Sequence, residues 1–199
     1  MANTDYHRML LQAKQDLARD LVKRQTLDRR IARRQLVVSD LQNLCAGGFF
    51  ENFLFGLQAA QGGTLPVFYN PTNRKSTMVA TNDIGAEVAK LLTGPAWSGH
   101  RVIELGSMVS ADEVAEQLGE VLKRDVKAFA VPRAGWAEAF EQFGVPKGHT
   151  GPAEEMFESI NAGWMDLGIA GTEHVAGTTS ARDVFAAAQQ AVKAKGHSV

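Results

Sequence analysis

A mixed α/β domain preceded by a long amphipathic helix is the architecture to expect of this 199-residue chain. Three observations lead there. Residues 1–45 hold no Gly or Pro and space Leu10, Ala13, Leu17, Leu21, Leu27, Ile31, Val38 and Leu41 three, four or seven apart except for one step of six, approximately a single helical stripe. Residues 101–105, 110–122 and 126–131 then read as strand, helix and strand, the spacing of a parallel pair joined by a right-handed crossover. Short apolar runs broken by Gly and Pro fill the rest, as in a small sheet covered by helices.

The N-terminal helix carries nine basic residues against five acidic ones, although the whole chain has a net charge of -1. Arg24 and Arg34 interrupt its stripe, and no aromatic residues interleave with Arg29, Arg30, Arg33 and Arg34. That pattern reads as a solvated face and argues against a nucleic-acid surface. A helix of this length needs a packing partner for its stripe, so it is expected to cover the domain or a second copy of itself. Gly47-Gly48 then stops the helix as a hinge, dividing the chain into 1–45 and 46–199.

Phe49 to Ala60 is expected as an apolar helix, Leu65 to Tyr69 as an edge strand because of Pro66, and Ser76 to Ala80 as a strand. Thr81-Asn82-Asp83 opens a helix whose Ile84, Val88, Leu91 and Leu92 share a face, and Gly94-Pro95 closes it. Gly106-Ser107 is expected as a turn. Ser110 and Glu113 have the spacing of a capping box, with Val114, Leu118, Val121 and Leu122 on the buried side. Helices follow over 134–143, 152–167 and 180–195.

Several classes of chemistry are excluded. One cysteine, Cys45, leaves no internal disulfide and no multi-thiolate metal site. The five histidines lack metal-ligand spacing. No apolar run is long enough for a membrane span and the first residues are polar, which points to a cytoplasmic protein. Neither a G-x-G-x-x-G turn nor a phosphate loop is present, and no tyrosine is followed four residues later by lysine.

Five segments carry a resemblance. They are Gly48-Phe-Phe-Glu-Asn-Phe-Leu54, Val79-Ala-Thr-Asn-Asp-Ile-Gly85, Val102 to Gly106 with Val109 to Val114, Val126 to Pro132, and Gly177-Thr-Thr-Ser180 with Val184-Phe185. In this order, over residues 47–188, the chain resembles the C-terminal part of NmrA-like proteins, which are atypical short-chain dehydrogenase/reductases. The resemblance implies a truncated Rossmann-like lobe with a small parallel sheet. The family would imply NADP as cofactor. The glycine-rich half that holds it has no counterpart here, and Cys45-Ala46 stands where the family has Arg-Pro, so no cofactor is expected from this chain.

The expected function is accordingly a non-catalytic, dimerising or small-ligand-binding module, the alternative being an NAD(P)-linked oxidoreductase or redox-sensing regulator of that family. Phe49, Glu51, Asn52 and Phe53 lie on the family's ligand-facing segment, although Glu51 and Asn52 read equally as braces for the next helix. His149 sits in a glycine-flanked loop suited to an acid or base. Trp164, with Trp136, Phe140, Met156 and Phe157, either lines an apolar pocket for an aromatic or quinone-like molecule or simply packs the core. Asp83 reads as a first-turn carboxylate. A homodimer is the expected assembly.

Overall fold

In the computed structural model, residues 41–196 are described; the stripe and the arginines of residues 1–40 lie outside them. Over 41–45 the expected helix is replaced by strand β1 (Leu41–Ala46). Its neighbour β5 (His100–Leu105) supplies the reason: pairing beside the buried Ile103 and Leu105 overrides a sequence that has good helix formers. β5 is flanked on its other side by β8 (Glu173–Val175), parallel to it with Ile103 opposite Glu173.

Two further small sheets complete the β content. β2 (Gly48–Phe49) runs parallel to β4 (Lys75–Val79), and β4 runs antiparallel to β6 (Ser107–Ser110). Residues expected as a turn at Ser107 are therefore strand. β3 (Thr64–Val67) pairs in parallel with β7 (Lys127–Ala130), Pro66 opposite Phe129. This corrects the expected strand–helix–strand unit: β5 and β7 do not pair with one another. Each takes a partner more than 60 residues away, because local spacing says nothing about which distant strand offers the better apolar face.

Phe50–Gly56 is a 3-10 helix running into a short α1 (Leu57–Ala60), where one continuous α-helix was expected. α2 (Thr81–Thr93) and α3 (Ala111–Leu122) lie where the sequence places them. In α2, however, Asp83 and Glu87 are the buried positions, and Val88 and Leu92 face outward. α3 starts with the expected capping box: the Glu113 N–H donates to Ser110 Oγ at 3.2 Å and the Ser110 N–H to Glu113 Oε2 at 2.7 Å. α4 (Trp136–Gln142), α5 (Gly151–Asn161) and α6 (Ala181–Gly196) follow.

The main core gathers Val114 and Leu118 of α3, Leu65 of β3, Met78 of β4, Phe50 and Phe53 of the 3-10 helix, and Phe185 of α6. Phe185, Leu65, Val114 and Leu118 are sealed from solvent. Glu104 is as buried as this apolar set, but its carboxylate accepts the N–H groups of Gly168 and Ile169, so the charge is not stranded.

Gly47, expected as a hinge, is instead a point of close backbone approach. A Cβ at Gly47 would lie 2.3 Å from the carbonyl oxygen of Thr77, and its N–H donates to Leu105 O at 3.1 Å. Backbone cannot rotate away as a side-chain tip can. Gly47→Ala is expected to destabilise the domain by about 1–3 kcal/mol, read as a lower denaturant midpoint at unchanged slope.

Candidate functional site

A cavity of about 260 Å³ opens in an aromatic cluster. Three stretches of chain build it. Pro66 and Val67 end β3, and the chain continues through Phe68 and Tyr69 to form the floor. The 3-10 helix brings Asn52, Phe53, Phe55 and Gly56 to one wall. Phe140, Phe143 and Val145 come from α4 and the turn after it, and Ala153, Met156 and Phe157 from α5.

The rings are fixed by one another. Phe68 stacks on Phe140 with centroids 4.2 Å apart and meets Phe157 at 5.0 Å. Tyr69 stacks on Phe53 at 5.8 Å and meets Phe157 edge-on at 5.5 Å. Behind Phe68, Trp136 packs edge-to-face and donates its indole N–H to Val131 O at 2.7 Å. Asn161 ties the floor to α5, donating to Phe68 O and accepting from the Asn70 N–H. Burial pushes the Tyr69 phenol up to about 12, so it stays protonated at neutral pH and is not a base.

Of the residues singled out in the sequence, Asn52 and Phe53 line this cavity, together with Phe140, Met156 and Phe157. Glu51 does not. Its Oε1 accepts from the N–H and hydroxyl of Thr81, at 2.9 and 2.6 Å, and so caps α2. Phe49 is outside the lining and partly exposed. His149 lies on the exposed loop, its Nδ1 3.2 Å from Lys147 O. Trp164 is 86% exposed and is not among the residues lining the cavity. Reading the sequence missed Phe68, Tyr69, Phe55 and Phe143. Only their aromatic character was available as a signal, because they come from separate stretches of chain and share no periodicity.

Asp83 is a structural clamp rather than a pocket acid. Its two carboxylate oxygens accept the N–H and hydroxyl groups of both Thr178 and Thr179, at 2.7–2.9 Å. The segment before α6 is thereby fastened to α2.

The N-termini of α2, α3 and α6 do not offer a pyrophosphate a free cradle. A pyrophosphate needs open N–H groups at a helix N-terminus and close backbone approach through glycines. At α2, α3 and α6 a carboxylate already accepts a backbone N–H in that place. Glu51 occupies α2, and Glu113 occupies α3. Asp183 accepts from the Ser180 N–H at the start of α6, whereas Glu154 in the first turn of α5 accepts from the Thr150 hydroxyl. Hydrogen bonds from Ser110, Thr150 and Ser180 hold the carboxyls of Glu113, Glu154 and Asp183 below their ordinary range, so all three are anionic at neutral pH. No group of three or more potential metal ligands occurs among the described residues. None of the helices described is long and apolar enough to cross a membrane.

No protein-family model matches the chain, and no curated protein matches it. Solved structures do. A nucleoside-diphosphate-sugar epimerase from Staphylococcus aureus matches with a TM-score of 0.57 and 17% identity, over 78% of this chain and 56% of its own. An NADPH-dependent quinone oxidoreductase from Escherichia coli matches at 0.55 and 19%, over 72% and 53%. The triphenylmethane reductase of a Citrobacter species matches at 0.52 and 20%, over 70% and 48%. The chain thus has a Rossmann-like α/β fold of the kind these proteins share, and spans about half the length of each.

Proposed function

We propose that the chain is the substrate-side lobe of an NmrA-like protein and binds a flat, one- or two-ring aromatic molecule of quinone type. The observation that carries this is the aromatic cavity, whose rings are positioned to stack on a planar guest. Its volume exceeds the roughly 150 Å³ that holds a benzene, which suits two fused rings. The Asn52 amide on the wall is able to donate to a ring carbonyl. No nucleophile or general base lines the cavity, which supports binding rather than catalysis by these residues alone. A homodimer, carried by the apolar spacing of residues 10–41, belongs to the same proposal.

A second reading is an NAD(P)-linked oxidoreductase, favoured by likeness to the quinone oxidoreductase and the triphenylmethane reductase. It requires dinucleotide-binding groups beyond the residues described.

The test uses 2,3-dimethyl-1,4-naphthoquinone, whose ring is blocked against attack by the Cys45 thiol. It is expected to raise the thermal midpoint saturably, by an amount set by its concentration relative to Kd. Ala153→Phe places a ring in the cavity and is expected to weaken binding at least about tenfold, with the midpoint of the free protein unchanged or higher. Unaltered affinity in that variant overturns the assignment. A shift of nicotinamide fluorescence on mixing NADPH with the protein favours the second reading.

A further inference from the structure

The aromatic cavity has a neighbour. An open groove of about 650 Å³ lies against it, and the two share Phe55, Pro66 and Phe143 as a common wall. On the far side of that wall the lining changes character, from rings to the side chains of Gln58, Glu138 and Gln142.

The wall itself is thin. Phe55 and Phe143 stack with centroids 5.6 Å apart, and Phe55 is 62% exposed. A ring so exposed gains little from burial where it stands, and turning it aside costs correspondingly little. Phe143 is the C-cap of α4 and is followed by Gly144 at a φ of 95°, so no helical turn braces it from the far side. Glu138 supplies the one carboxyl group lining the groove. The cation nearest in sequence, Arg133, is engaged elsewhere: it pairs with Glu154 and Glu158 and lies over the Trp136 ring, 4.9 Å from its centroid. The Glu138 carboxylate is left with a single long contact to Gln142, at 3.5 Å.

We propose that this groove is a second subsite, which takes a hydrogen-bond-donating or ammonium-bearing arm of a ligand whose aromatic head occupies the cavity. The natural ligand is then a two-part molecule, apolar and planar at one end and cationic or strongly donating at the other. The arm passes the Phe55–Phe143 pair and ends between Gln58 and Glu138. This inference rests on the aromatic-ligand reading above and adds to it the chemistry of the arm.

Two fluorescent probes test it on the full chain. Dansylcadaverine carries a naphthalene head and an ammonium on a flexible arm; N-butyl dansylamide carries the same head and an uncharged arm. The ammonium probe is expected to bind about two- to fivefold more tightly at low salt, the range for a solvent-exposed charge pair. Glu138→Gln is expected to erase that preference and leave the affinity of the uncharged probe as it was. Equal affinities in the unaltered protein, or a preference that survives Glu138→Gln, overturn the subsite while the aromatic cavity stands. Binding of the naphthoquinone without either dansyl probe also overturns it, because the shared wall then does not admit an arm. Failure of all three probes removes the cavity reading and the subsite with it.

Discussion

Phe185→Ala is expected to lower the thermal midpoint by about 6–20 °C. Phe185 is fully buried and projects from α6 into the core formed with α3 and the 3-10 helix. Removing a buried benzyl group costs about 3–5 kcal/mol, the transfer loss plus the void left behind. In a domain of this size each kcal/mol is worth roughly 2–4 °C. The surrounding Val114, Leu118 and Ala181 have no solvent exposure, so relaxation into the void is restricted. A melt followed by far-ultraviolet circular dichroism reads the effect. A shift under about 2 °C contradicts the placement of α6 in the core.

Asp83→Ala is expected to destabilise by about 3 kcal/mol, because four donors on Thr178 and Thr179 lose a buried charged acceptor together. Asp83→Asn keeps the shape but offers one acceptor oxygen to the four donors. The pH dependence follows from the direction of the carboxyl's shift. Burial alone raises it, yet the hydrogen bonds from Thr179 and Thr178 outweigh burial and hold it below the ordinary value of 3.8. The folded value is the lower one, so the stabilisation is complete above the unfolded value and fades as pH falls through the folded one. Asp83→Asn should therefore melt well below the unaltered protein at pH 6, and the gap should narrow toward pH 3. A gap that is constant over this range contradicts the clamp.

Local features of the fold were legible in the sequence, and distant ones were not. The Ser110–Glu113 cap was readable because both partners lie within one turn. The start of α2 and its stop at Gly94 were readable for the same reason. β1 was not, since Leu-Gln-Asn-Leu-Cys-Ala favours a helix until β5 offers a partner. The β3–β7 pairing joins residues 63 apart at Thr64 and Lys127, and the Asp83 clamp reaches 95 residues to Thr178. Nothing in a window of a few turns encodes such contacts. The site followed the same division. Phe140, Met156 and Phe157 could be grouped as an apolar set, and Asn52 and Phe53 as a ligand-facing segment. Phe68 and Tyr69 reach them only through the floor beyond β3, and Trp164, chemically alike, lies outside.

The parallel strand pairings also bear on how the chain emerges from the ribosome. β3 must wait for β7 and β5 for β8, and the core closes only when Phe185 of α6 arrives. Until then Leu65, Met78 and Val114 have no complete shelter, and early loop closures gain little to offset their entropy. Nascent chains stalled before residue 185 should therefore be chaperone clients, and a nonsense mutation that deletes α6 should yield aggregate instead of a shorter folded protein.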